Sequence, residues 1–378
     1  MNKIPEYETH WFQLKDTFLL KLKDNLLQEL LEKGIKKAGN LNQLAKNLNM
    51  SCPTFYNLKN NKGVYMISVG KLKRLLSYLN VNYSFLNNKI EFTKKGRKIS
   101  IKNPKFPFNL KTKEGAYLLG CIVSDGTIYI DKKARNKVRT KYSSSDEEST
   151  EKFKEAINKT FGEVYLQKEL NRGNTYLKVG SSIIGEALLK IGAHLGNKTK
   201  ANKEIPWLIK ENKELSRHYL SAIFGDEGSS AGNKHYQPYL TLSRSNRLNN
   251  ILTKKELNEL NKLDFTKKRK FPTGHTTSSI SFKKAKVVLP AKIINKITNK
   301  GISKLLLGES ELLKEMGAEN RIWISRIDKT QLGFFSLSAA MIISRKQSVL
   351  KFYKEIGFSL SRKQNKLQNS LKEAGWIV

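Results

Sequence analysis

Two short stretches hold the residues best suited to chemistry. Residues 118–126 read LLGCIVSDG and residues 220–228 read LSAIFGDEG. Each is an apolar run that ends in an acid followed by glycine. The acids Asp125 and Glu227 lie 102 residues apart, as the two stretches do. An offset of that size matches one small domain and points to an internal duplication. A carboxylate at a helix C-terminus opposes the macrodipole, which favours cations there. Two such carboxylates side by side also repel each other. A shared proton or a hard divalent cation with oxygen ligands would relieve both problems.

The elements that must position these acids are helices buried along most of their surface. Gly120 and Ser124 lie four apart on one face, as do Ser221 and Gly225, and Ala222 takes the step of Gly120. Small residues at that spacing let two helix backbones approach closely. Gly126 and Gly228 can take the left-handed conformation that ends a helix.

The pair resembles the two copies of the LAGLIDADG motif in a single-chain homing endonuclease. The resemblance implies an α+β fold of tandem LAGLIDADG repeats, each αββαββα, with saddle-shaped antiparallel sheets around a pseudo-twofold axis. It implies that Gly120, Ser124, Ala222 and Gly225 lie at the helix interface. It also implies that Asp125 and Glu227 bind Mg2+, or another divalent cation such as Mn2+, and that each cuts one DNA strand. Val123 and Gly225 stand where the family is often acidic. Asp226 stands where it is usually small, so the second copy offers Asp226 and Glu227 as metal ligands. Glu227 is preferred because it directly precedes the glycine. In this family a Gly-x-Lys-Thr stretch followed by Ile-Pro often joins the repeats. Residues 196–199 and 205–206 match it and would place Lys198 near the metals, with Lys363 as its second-half counterpart.

The whole chain has 378 residues, enough for two or three domains. Lys+Arg number 70 against Asp+Glu 33, a formal net charge of +37. That excess implies an extended polyanion as partner, most simply double-stranded DNA, with RNA as the alternative. An anionic membrane surface would also attract it. However, the basic residues form no juxtamembrane block, and the apolar runs are too short to span a bilayer. The first residues lack a signal-peptide apolar core. Cys52 and Cys121 make neither a disulfide framework nor a zinc cluster, so a cytoplasmic setting fits. Two motifs in one chain predict a monomer.

Along the chain, the leucine spacing predicts one helix over residues 9–34. Residues 41–60 have the pattern of a helix-turn-helix: Leu44, Leu48, Phe55 and Leu58 apolar, Ala45 small, and Asn49 at a turn that needs positive φ. Its second helix would present Thr54, Tyr56, Asn57, Lys59 and Asn60 to DNA. This gives an all-α helix-turn-helix domain over 1–85 and a basic linker and hairpin over 86–114. The first repeat follows over 115–210. The second runs over 211–378, with an insertion near 250–320 that makes the halves unequal. Alternation in residues 138–142 puts Arg139 and Lys141 on one strand face, suited to a DNA backbone, and Lys178 and Arg244 join them as candidate DNA contacts. The leading function is site-specific DNA cleavage at a long asymmetric site. The alternatives are a catalytically silent transcriptional regulator and an intron RNA maturase.

Overall fold

The computed structural model describes residues 5–60, 66–95, 98–134, 136–171, 173–196, 198, 202–233, 236–270 and 276–378. The N-terminal part opens with β1 (Glu8–Thr9) and β2 (Leu19–Leu22), followed by helices α1 (Leu26–Ala38), α2 (Leu41–Asn47) and α3 (Cys52–Asn60). Then come β3 (Ile67–Ser68), α4 (Val69–Leu79), β4 (Ile90–Lys95), β5 (Lys98–Lys102) and β6 (Phe108–Asn109). Residues 9–34 therefore do not form one helix, and the N-terminal part is not all-α. Phe18, Leu20 and Leu22 are buried at a period of two, as a strand requires. Asp24, at φ 51, breaks the chain before α1 begins. The turn between α2 and α3 has the expected left-handed asparagine, with Asn49 at φ 49. Asn40 caps α2 by accepting from the Gln43 amide.

The hairpin β4–β5 does not simply link two domains. It lies in a five-stranded antiparallel sheet of order β3-β2-β4-β5-β9, whose last strand β9 (Glu163–Val164) comes from the next part of the chain. The N-terminal part and the first half thus share a sheet.

The first half runs through α5 (Lys113–Val123), β7 (Gly126–Asp131), β8 (Lys137–Ser144), α6 (Glu147–Phe161), β10 (Leu166–Asn171), β11 (Asn174–Val179) and α7 (Ser182–Lys190). Its antiparallel sheet has the order β10-β11-β8-β7. A short helix α8 (Trp207–Lys210) leads to the second half, which begins with α9 (Lys213–Asp226), β12 (Ser229–Asn233) and β13 (Tyr236–Arg247). It closes with α13 (Lys304–Glu315), β16 (Arg321–Thr330), β17 (Phe335–Ile343), α14 (Lys346–Glu355) and α15 (Ser361–Glu373), once the intervening elements are passed.

Those intervening elements are α10 (Lys254–Asn261), β14 (Lys267–Lys270), β15 (Thr276–Ser281), α11 (Phe282–Val288) and α12 (Ala291–Lys300). They form more than a looped insertion. Strands β14 and β15 widen the second sheet to the order β12-β13-β17-β16-β15-β14. Leu260, Phe282, Ile293 and Ile297 build a separate core over Ile327, Phe335 and Leu337.

Helices α5 and α9 stand at the centre of the main core. Thr112 caps α5 through the Gly115 amide. Eleven residues are too few to hold a helix by propensity alone. The helix is held by burial: Leu118, Leu119, Ile122 and Val123 are almost wholly covered, as are Leu220, Ile223 and Phe224 opposite. Each such side chain contributes about 1.5–3 kcal/mol. A Cβ on Gly120 would lie 2.6 Å from the Ala222 Cβ and 2.6 Å from the Tyr219 carbonyl oxygen, so the backbones meet where only glycine fits.

Candidate active site

The ends of α5 and α9 bring Asp125, Asp226 and Glu227 into one electrostatic cluster. Asp125 is exposed as a residue, yet protein crowds its carboxyl. Burial, then repulsion from Glu227, push its pKa up to about 6, against the pull of Lys198, Lys363 and Arg244. Asp226 is pushed up to about 7 by burial and then by Asp125, although hydrogen bonds from Ser124 and Tyr142 oppose the shift.

The three acids have different partners. Asp226 accepts a bond from the Ser124 hydroxyl and another, at 2.7 Å, from the Tyr142 hydroxyl. Ser124 and Asp226 are 102 residues apart, so the equivalent positions of the two motifs meet face to face. Asp226 therefore pins the helix pair together, and both its oxygens already accept a bond. Glu227 accepts from Arg244 of β13, whose guanidinium also grips Glu309 of α13 through Nε at 3.2 Å and Nη2 at 2.7 Å. Among the described residues, Lys198, Lys363 and Arg244 reach the Asp125 carboxylate only through space.

The two lysines sit in matching cradles. Lys198 Nζ donates to the carbonyls of Ile122 (3.2 Å), Val123 (2.9 Å), Ser124 and Gly126 (3.0 Å). Lys363 Nζ donates to those of Phe224 (3.4 Å), Asp226 (3.1 Å) and Gly228 (2.7 Å). Three of these carbonyls in each set are related by the 102-residue offset. Each lysine thus closes the C-terminal end of one motif helix, where the last carbonyls lack intrahelical donors. The matched cradles place Glu227, not Asp226, at the position of Asp125. Burial lowers the Lys198 pKa to about 8, with Glu227 opposing, and burial also lowers that of Lys363. The Glu148 carboxylate of α6 accepts from the Ser361 amide at 3.1 and 3.0 Å and so fixes the start of α15, which carries Lys363.

Among the described residues, no group of three or more His, Cys, Asp and Glu side chains is arranged to hold a metal ion. The donors present suit Mg2+ nonetheless. That ion is bound by one or two carboxylates and takes its remaining ligands from water and substrate phosphates. Asp125 and Glu227 would hold it. Burial first, and then repulsion among the converging acids, raise the pKa values of Asp125 and Asp226.

The remaining candidates separate clearly. Gly120, Ser124 and Ala222 lie at the helix contact, whereas Gly225 faces Ser359, whose Oγ would lie 1.8 Å from an added Cβ. Arg139, Lys141 and Lys178 lie on the outward face of the first sheet, while Thr140, Tyr142, Leu177 and Val179 point inward. They are not idle there: Arg139 is 3.5 Å from Asp131, Lys141 sits 3.7 Å over the Tyr176 ring, and Lys178 bonds Glu169 at 2.6 Å. Arg244 corrects the sequence expectation. It is buried and turned towards Glu227 and Glu309, because β13 buries every second residue from Leu240 through Leu242 and Arg244 to Asn246. On α3, Tyr56 is exposed at 61% and Asn57 is exposed too, whereas the side chains of Thr54, Lys59 and Asn60 lie outside the described residues. Glu309 and Tyr142 were missed as site residues. Glu309 had a signal: it falls on the apolar stripe of Leu305, Leu306, Leu312 and Leu313, where a carboxylate needs an internal partner.

Asp125 and Asp226 give a test of this arrangement. Their folded pKa values lie above the ordinary aspartate value of 3.8. The protonated forms therefore favour the fold; that contribution is complete at low pH and is lost as pH rises through about 6 and 7. The melting temperature of the cation-free protein is expected to fall between about pH 4 and 7. Asp226→Asn should flatten the upper part of that fall, as circular dichroism melts at several pH values would read.

No protein-family model matches the chain, and no curated protein matches it. Solved structures give weak likenesses. Mesophilic variants of the homing endonuclease I-DmoI are 13% identical, with 66% of this chain and 97% of that chain covered and a TM-score of 0.32. I-DmoI in complex with DNA and Mn is 15% identical, covering 66% and 97%, with a TM-score of 0.32. The LAGLIDADG meganuclease I-AabMI bound to uncleaved DNA is 14% identical, covering 68% and 89%, with a TM-score of 0.31.

Proposed function

We propose that the chain is a site-specific, divalent-cation-dependent endonuclease of double-stranded DNA, of the LAGLIDADG homing kind. One observation carries the reading: two motif helices pack with their terminal acids together, and each helix end is closed by a lysine in an equivalent cradle. A structural helix pair needs no carboxylates at its C-termini, where they oppose both the dipole and each other. A phosphodiester site needs them.

Asp125 and Glu227 would hold Mg2+ or Mn2+, and a cation bound there supplies Lewis-acid stabilisation of charge on the scissile phosphate. Lys198 and Lys363 fix the ends of the acid-bearing helices and keep positive charge beside the same phosphates. The outward lysines and arginine of the first sheet neutralise backbone phosphates, and the net charge of +37 draws the duplex in. Residues 41–60 lengthen the contact through Tyr56 and Asn57. One chain holds both acids, so it acts as a monomer.

Lys198→Met is expected to slow cleavage about a hundredfold, the usual cost of removing one fixed electrostatic donor. Because the lysine is charged only below its pKa, wild-type cleavage should also fall as pH rises through about 8. Single-turnover rates across pH check both. The reading itself is tested on a plasmid pool carrying random inserts. Linear product with magnesium and none with EDTA supports it. Sequence-specific retention of inserts without linear product would move the assignment to a silent DNA-binding regulator.

A further inference from the structure

We infer that Arg244 makes the two halves of the site unequal: held by the buried Glu309, it keeps Glu227 in an ion pair, so that a divalent cation loads first at Asp125. This deepens the nuclease reading and rests on it.

The grip is specific. Glu309 takes two guanidinium nitrogens of Arg244, Nε at 3.2 Å and Nη2 at 2.7 Å, and a two-point bond of this kind fixes the plane of the group. Nη1 is left for Glu227. Glu309 is wholly buried, and Arg244 is 8% exposed, so neither can swing into water. A cation approaching Glu227 must displace the guanidinium or bind beside it, against its charge. Among the described residues no side chain bonds the Asp125 carboxylate directly, and Lys198, Lys363 and Arg244 act on it only through space, so a cation approaching it has no bonded guanidinium to displace.

Among the described residues, the first half has no arginine at the matching strand position. In the first sheet Tyr142 is paired with Gly126, and two residues further on stands Ser144. In the second sheet Ser229, the residue after Gly228, is paired with Thr241, and three residues beyond Thr241 stands Arg244, as Ser144 stands three beyond the Lys141 that pairs with Thr127. The two lysine cradles match while this position does not. The asymmetry is therefore a property of the second half, not a general difference between the halves. Its consequence is an order of events: the strand served by Asp125 is nicked at lower cation concentration than the strand served by Glu227.

The test is a Mn2+ titration of the full chain without DNA, following the electron paramagnetic resonance signal of the free ion. The proteins are wild type, Asp125→Asn and the double variant Arg244→Met/Glu309→Leu. The double change removes both buried charges together and leaves neither unpaired. Wild type is expected to bind one Mn2+ at least about tenfold more tightly than a second. Asp125→Asn should lose the tighter ion. The double variant should bind two ions of similar affinity. Equal sites in wild type, or a tight site that survives Asp125→Asn, would overturn the inference and leave the nuclease reading standing. Binding of no Mn2+ by any of the three proteins would also overturn the inference, while cleavage of the plasmid pool with magnesium decides the nuclease reading separately. Should the double variant not fold, Arg244→Lys keeps the charge but cannot fork. It is expected to narrow the difference between the sites, and an unchanged difference counts against the inference.

Discussion

Asp125→Asn combined with Glu227→Gln is expected to remove DNA cleavage while leaving DNA binding in place. Both substitutions keep size and shape and delete only the charge that would hold a cation. Metal-ion stabilisation of a phosphoryl transition state amounts to several kcal/mol, and each 1.36 kcal/mol is tenfold, so the rate should drop by at least about a thousandfold. Binding should survive for two reasons. The basic face of the first sheet is untouched, and removing two negative charges lowers repulsion of the duplex. The folded protein should also tolerate the change, because the carboxylates at these helix ends oppose the dipole and one another. Gel retardation beside single-turnover cleavage checks the two expectations together. Loss of binding in parallel with cleavage would mean that the acids act through the fold and not through chemistry.

Arg244→Met alone is expected to be the most destabilising of the substitutions considered. It leaves the Glu309 carboxyl wholly buried without its charged partner. Breaking a buried pair from one side costs about 3–5 kcal/mol. Burial already raises the Glu309 pKa, and Arg244 is the first cause that holds it down, so the lone carboxyl would take up a proton. A group with a raised folded pKa stabilises the fold below its unfolded pKa and loses that contribution as pH rises through the folded value. The Arg244→Met protein should therefore be least stable at high pH. Adding Glu309→Leu should recover most of the loss, because a buried ion pair replaced by apolar side chains of similar volume is often neutral. Urea unfolding of the wild type, the two single variants and the double variant gives the coupling. Additive losses would show that the pair is not the buried unit described above.

The meeting of the two motif helices and the place of both lysines beside them were legible in the sequence. The two motif helices announce themselves because an apolar run followed by acid and glycine occurs twice at one offset. The resemblance placed Lys198, and its echo after the second half placed Lys363. By position Glu227, not Asp226, corresponds to Asp125, since Lys363 bonds the carbonyls on either side of Glu227. What was not legible had physical causes. Residues 9–34 carry leucines at spacings that satisfy both a helix and, over residues 18–22, a strand; the pairing of β2 with β4 decides it. That pairing is a long-range contact, which local spacing does not report. Arg244 was placed outside because arginine in a basic chain reads as a phosphate contact. The alternation of Leu240, Leu242 and Asn246 already put it inside, but its partner Glu309 lies 65 residues away. The sequence marked the insertion near 250–320 but not its strands, because β14 and β15 are polar, rich in lysine, serine and threonine. Nothing in a hydrophobic pattern marks such strands until a neighbour such as β16 pairs with them.

The central claim is that Asp125 and Glu227 hold the divalent cations with which the chain cuts DNA. It is tested most directly by incubating a randomised duplex library with the wild-type chain and with the Asp125→Asn/Glu227→Gln protein, in magnesium and in EDTA, and sequencing the ends formed. Discrete ends at one sequence, present only with wild type and magnesium, are the expected result. The same ends produced by the doubly substituted protein would contradict the claim, because cutting would then come from other residues.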